Sequence, residues 1–198
     1  YDEPMRPGTS MESLAGLKTP FRSHGKVTAG NAAGINDGAT AALLADEETA
    51  RDLGLPVKMR LVAFSFVGVE PEVMGAGPIP ATEKALKQAG LSIDDIGAFE
   101  VNEAFAVQVL AFLEHFGIAD DDPRVNPYGG AIAMGHPLAS SGVRLMTQLA
   151  RQFAERCPRQ GELDRPAAIS VARMSRRNRN TTMTASTAPS IIAWSAPL

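Results

Sequence analysis

The chain is poor in the residues that build covalent or metal-held frameworks. Its 198 residues contain one cysteine, Cys157, which excludes an internal disulfide and a cysteine-based zinc site. The three histidines, His24, His115 and His136, are scattered, so no metal centre is expected. No apolar run approaches the roughly 20 residues that cross a bilayer, and no membrane partner is expected. A formal net charge of -3 offers no excess of positive charge for nucleic acid or an anionic lipid surface. Sparse cysteine fits a reducing compartment, and a cytoplasmic location is expected. No signal peptide is visible from Tyr1 onward, and the chain begins within what reads as running sequence rather than at an initiating Met.

What remains is the composition of a globular α/β protein, 44% hydrophobic and long enough for one sizeable core or two small ones. Residues 1–30 are rich in Pro, Gly, Ser and Thr and read as a loop excursion. The cluster NAAGINDG (residues 31–38) is turn-forming, and the strong helix formers of residues 39–53 predict a helix stopped by Gly54 and Pro56. Residues 57–69 read as a strand, residues 79–89 as a helix ended by Gly90, and residues 98–101 as a short strand. A helix over residues 103–116 follows, closed by Gly117, with Phe105, Val109, Phe112 and Phe116 on its buried face. The alternation predicts a mixed sheet covered by helices. After Cys157 the periodicity fails, and only residues 167–172 read as a further strand.

Chemistry concentrates in NPYGGAIAMGHPLASSG (residues 126–142), where glycines, a histidine and a proline precede a predicted helix over residues 138–153. Pro137 suits the first helical position, and Leu138, Leu145, Met146, Leu149 and Phe153 recur at helical spacing. His136 then lies at a helix N-terminus, where the dipole disfavours the imidazolium and leaves a neutral ring able to accept a proton. The plain alternative is a histidine that only caps the helix. Asn102, at a strand end, could orient a water or a carbonyl oxygen, and its plain alternative is an N-cap. Asn31 and Asn36 carry the same alternative.

Three segments, VTAGNAAGINDGA (27–39), NEAFA (102–106) and GGAIAMGHPLASSG (129–142), together resemble the C-terminal half of a thiolase, over about residues 2–155. The resemblance implies Claisen chemistry on CoA thioesters, either thiolysis of a 3-ketoacyl-CoA, as in fatty acid β-oxidation, or condensation of two acyl-CoA molecules. It assigns His136 as the base that activates a nucleophilic cysteine and as an oxyanion-hole donor, and Asn102 as the holder of the water that completes the hole. NEAF rather than HEAF favours the degradative or biosynthetic branches over the sterol-carrier type. Residues 17–21 and 27–33 are similar to the loop that cradles the pantetheine arm, which makes Phe21, Asn31 and Ala33 candidate CoA contacts. Many thiolases carry serine where this chain has Ala33, so the hydroxyl that would bond pantetheine is missing here.

Coenzyme A is thus expected as substrate, with no further cofactor. The implied organisation is a loop region over residues 1–30 that resembles part of the CoA-binding loop domain, a C-terminal thiolase domain over 31–155, and a divergent tail over 156–198, read as out of frame, that leaves the sheet incomplete. Two cysteines are required by the family. The first belongs to an N-terminal half upstream of Tyr1, and the C-x-G motif of the second is replaced by CPRQGELDRPAAISV. Cys157, beside Pro158 and without a glycine-rich continuation, reads as a bystander. The basic cluster Arg173, Arg176, Arg177 and Arg179 reads as a solvated run. The chain alone is expected to be inactive, its partners being acyl-CoA, CoA and the missing half, in a family whose intact members form homo-oligomers. The alternatives are a non-catalytic CoA-binding or assembly module and an inactive fragment.

Overall fold

A computed structural model of the chain describes residues 5–156, 167–173 and 189–195. Cys157 and the arginines at 176, 177 and 179 lie outside the described residues. The first regular element is the single-turn helix α1 (Met11–Ala15), where Ser10 and Ser13 cap each other. Irregular backbone then runs to Asp46, which accepts from the Thr49 amide at 2.8 Å and opens α2 (Glu47–Asp52).

The helix expected over residues 39–53 is therefore mostly absent. Helix propensity at residues 39–45 is overridden by anchoring. Gly38 packs so closely on Pro137 that a Cβ there would lie 2.7 Å from the proline ring, and Thr40 Oγ1 donates to the Ser140 carbonyl at 2.9 Å. The segment is irregular rather than helical, with Leu43 and Leu44 exposed.

Strand β1 (Arg60–Phe66) is shorter than the expected run. A 3-10 turn over Pro71–Ala76 leads into α3 (Pro78–Ala89), and Gly90 closes it with a left-handed φ of 69°. Strand β2 (Ile96–Val101) ends at Asn102. Helix α4 (Ala106–Phe116) starts three residues later than expected, because residues 104 and 105 are engaged with the segment at 32–33. The Ala33 amide donates to the Ala104 carbonyl at 3.1 Å, and Ala32 bridges Phe105. Phe112 and Leu113 are the buried residues of α4, with Val109 and Phe116 partly buried beside them.

One-turn α5 (Ala131–Met134) precedes α6 (Ser141–Arg156), which begins three residues after the predicted start. Leu138 accordingly leaves the helical face and is 60% exposed, whereas Leu145, Leu149 and Phe153 are buried as expected. Strand β3 (Ala167–Arg173) follows the prediction. No strand is expected beyond it, yet Pro189–Ser195 forms β4, whose IIAW core supplies the β-branched and aromatic residues a strand favours.

The four strands make one mixed sheet of order β1-β4-β3-β2, with β2 and β3 parallel and the other pairs antiparallel. Alternation along β2 sends Phe99 and Val101 into a core shared with α3 and α4, while Ala98 packs with Leu149 and Phe153 of α6 on the opposite face. Helical side chains thus pack on both faces of β2. Among the described residues, no helix is long and apolar enough to cross a membrane, and no group of three or more potential ligands could hold a metal ion.

Candidate active site

Asn102 follows directly from the buried end of β2 and is 3% exposed. It does not cap α4, whose first residue is preceded by Phe105, so the plain alternative for Asn102 fails. Its position is set by Asn126, whose side chain acts as a strand partner for Val101. Asn126 Oδ1 accepts from the Val101 amide at 2.7 Å, and Nδ2 donates to the Val101 carbonyl at 2.8 Å. Asn126 has φ 43°, a left-handed conformation that asparagine tolerates better than most residues.

His136 arrives from the other side. Gly135, at φ 98°, turns the chain out of α5, and a Cβ there would fall 2.2 Å from Asn36 Oδ1. The His136 amide donates to the Gly34 carbonyl at 2.9 Å, so the segment at 34–40 braces the turn that presents the ring. The amides of Ser140 and Ser141 both donate to the Pro137 carbonyl, so a turn over residues 137–140 leads into α6 at Ser141, and Pro137 does not open the helix as expected but lies, with His136, ahead of that turn.

The imidazole is 8% exposed and held at both nitrogens. Asn102 Nδ2 lies 3.3 Å from His136 Nε2, and an amide nitrogen can only donate, so Nε2 carries the lone pair. The proton then sits on Nδ1, 2.7 Å from Ser141 Oγ, and that hydroxyl passes its own hydrogen to the Pro137 carbonyl at 3.1 Å. This chain of bonds fits one neutral tautomer, with Nε2 facing Asn102. Asn102 Oδ1 is buried without a hydrogen-bond partner among the described residues. It is an acceptor available to a water or a ligand proton.

The candidate CoA contacts are more dispersed. Phe21 is 74% exposed in a bend. Asn31 shapes its own loop, accepting from the Thr28 amide and donating to the Lys26 carbonyl, each at 2.8 Å. Its carbonyl also accepts from the Ala106 amide at 2.9 Å, so with Ala33 it docks the loop on the NEAFA segment.

Three further groups escaped the sequence reading. Glu103 receives the Asn126 side chain at 3.0 Å and the Ile132 amide at 3.1 Å. Ser141 Oγ lies 2.7 Å from His136 Nδ1, and its place five residues after His136 in the segment GHPLASS was the available signal. Glu100, behind Asn102 on β2, is 1% exposed and accepts from Gln152 Nε2 at 2.5 Å. Burial, the largest influence, pushes its carboxyl up to about 7, while the positive charge of Arg144 and the Gln152 hydrogen bond pull the other way.

The chain that carries this buried amide and imidazole has counterparts among known proteins. The family description "Thiolase, C-terminal domain" matches residues 55–163, and "Thiolase, N-terminal domain" matches residues 1–48. The chain belongs to the thiolase family. The 3-oxoadipyl-CoA/3-oxo-5,6-dehydrosuberyl-CoA thiolase of Escherichia coli is 52% identical over 156 residues, covering 79% of this chain and 39% of that protein. Human mitochondrial 3-ketoacyl-CoA thiolase superposes with a TM-score of 0.84 at 36% identity, covering 100% of this chain and 45% of the human one. The same human enzyme in complex with CoA superposes at 0.83, with 36% identity over 99% of this chain and 45% of that one. This thiolase-family chain thus spans less than half the length of these relatives.

Proposed function

We propose that this chain supplies the C-terminal part of a thiolase active site, acting in acyl transfer on CoA thioesters together with an N-terminal thiolase half. The observation that supports this reading is the Asn102–His136 pair, buried and 3.3 Å apart. In the reaction, His136 Nε2 takes the proton of a nucleophilic thiol contributed by the other half. The thiolate attacks the carbonyl of an acyl-CoA thioester, the imidazolium N–H donates to the oxygen on which negative charge develops, and collapse of the tetrahedral adduct breaks the bond to the CoA sulfur, which leaves and takes up the proton held by the imidazolium. Asn102 holds a water that gives the second donor, its unpaired Oδ1 being the acceptor such a water requires. Loss of either donor should slow acyl transfer by roughly a hundredfold or more.

The substrates in this reading are CoA and acyl-CoA or 3-ketoacyl-CoA, as the names of the relatives suggest, with β-oxidation as the fitting context and no further cofactor. Phe21, Asn31 and Ala33 belong to the loop that faces the pantetheine arm, and homo-oligomerisation follows the intact family. The test is acylation of the N-terminal half's cysteine by acetyl-CoA, the step that needs that one thiol and His136. The purified 198-residue chain should show no turnover, and in complex with a thiolase N-terminal half it should acylate that half's cysteine with release of CoA, in a manner abolished by His136→Ala. Turnover by the chain alone, or no acylation in a complex that forms, refutes the reading.

No cysteine lies among the described residues, which favours one second reading, a non-catalytic CoA-binding or assembly module. Recovery of a thiolase half or a β-oxidation subunit with the tagged chain would support it, and failure to recover either would count against it.

A further inference from the structure

Asn102 and His136 come from separate loops, and the contact between them, at 3.3 Å, is too long to hold two side chains in register by itself. The shorter bonds behind the pair must do so. One carboxylate joins the two loops from behind. Glu103 Oε1 accepts from Asn126 Nδ2 at 3.0 Å, and the same Asn126 amide brackets Val101, the residue before Asn102. Glu103 Oε2 accepts from the Ile132 amide at 3.1 Å, in the one-turn helix α5 that ends at Gly135 and delivers His136.

We infer that Glu103 is a positioning residue that sets the spacing of the Asn102–His136 pair and thereby keeps His136 in a single tautomer. This deepens the proposed thiolase reading and rests on it for the chemical purpose of the pair. Both partners of Glu103 are pure donors, and the ionised carboxylate is the side chain that offers two acceptors and no hydrogen at that length. Glutamine would turn an N–H toward one of the two donors. The space is shaped to the carboxylate as well. A Cβ on Gly130 would lie 2.2 Å from Glu103 Cδ and 2.3 and 2.4 Å from its oxygens, so the glycine is what lets the carboxylate reach the Ile132 amide. Transmission is short, because α5 is one turn and the Gly135 amide is bonded back to the Ala131 carbonyl at 2.9 Å. Displacing Ile132 therefore displaces the histidine.

The deciding measurement is the ring-nitrogen spectrum of His136 in the 198-residue chain labelled with ¹⁵N-histidine, read by long-range ¹H–¹⁵N correlation. The unaltered chain should show one neutral tautomer protonated on Nδ1. Glu103→Gln, isosteric and chosen to preserve packing, should lose that single-tautomer signature, and Glu103→Ala should lose it further, while amide protection in α3 and α4 stays unchanged. A tautomer unaffected in Glu103→Gln overturns the inference. So does a change that appears only together with loss of protection in α3 and α4, since Glu103 would then be a structural residue. The thiolase reading fails separately, through a silent complex with an N-terminal half, which leaves the tautomer result standing.

Discussion

Strands β2 and β1 both run apolar, yet one is enclosed and the other is half open. Apart from Gly97, β2 (IGAFEV) is buried throughout, with α3 and α4 against Phe99 and Val101 and α6 against Ala98. In β1 (RLVAFSF) only Ala63 and Ser65 are buried. Ser65 Oγ donates to the Ala81 carbonyl of α3 at 2.6 Å, whereas Phe64 and Phe66 on the other face stay 53% and 43% exposed. Helix α6 packs on β2 and β3, and its cluster takes in Met59 just before β1, while Phe64 and Phe66 stay uncovered. Apolar sequence alone therefore does not decide burial here. The reach of the covering helices does, and the functional pair sits at the enclosed edge, where a buried Asn102 and His136 can be kept from bulk water.

Phe99 offers the sharpest way to break that contrast. It is fully buried, meets Phe112 edge-on at 6.5 Å and lies 5.4 Å beneath Arg124, so Phe99→Ala should destabilise by about 3–5 kcal/mol in urea unfolding. A cost below about 1 kcal/mol would mean that the two strands are not differently packed.

Glu100→Gln tests the enclosed edge electrostatically. The folded carboxyl keeps its proton to about pH 7, whereas the free group loses it near 4.5. Folding therefore takes up a proton across that window, and stability falls as pH rises from about 4.5 to about 7, then levels off. Glu100→Gln should abolish this slope and stabilise the chain above pH 7, by on the order of 2–3 kcal/mol. An unchanged slope would show that the carboxyl is hydrated in solution.

The smallest effect belongs to β1. Phe64 and Phe66 meet edge-on at 5.8 Å in a solvent-facing position, and Phe64→Ser should cost about 0.5 kcal/mol while lowering light scattering at high concentration. A cost close to that of Phe99→Ala would show that the outer face of β1 is covered in solution and would erase the contrast.

Much of this was readable in advance, and the misses have causes. The positive-φ glycines at 90 and 117 stop α3 and α4 where the sequence says they should, because local backbone chemistry decides those ends. The meeting of Asn102 with His136 was reached through the NEAF and GHP motifs, as no periodicity relates positions 34 residues apart. Residues 39–45 misled because alanine and leucine favour helix, whereas Gly38 against Pro137 and Thr40 on Ser140 are tertiary bonds invisible locally. Glu103 was quoted within NEAFA but assigned no task, since its partners Asn126 and Ile132 come from a loop more than 20 residues on. Strand β4 was hidden among the Ser and Thr of the tail.

The order β1-β4-β3-β2 also bears on how the molecule is made. Arg60 pairs with Ser195, 135 residues later, and β4 is inserted between strands that both precede it in the chain. During synthesis, β1 and β3 must each wait with an unpaired edge until β4 has left the ribosome. The sheet then closes through its central strand in a late, long-range step, and any chaperone protection the nascent chain requires is needed over that interval.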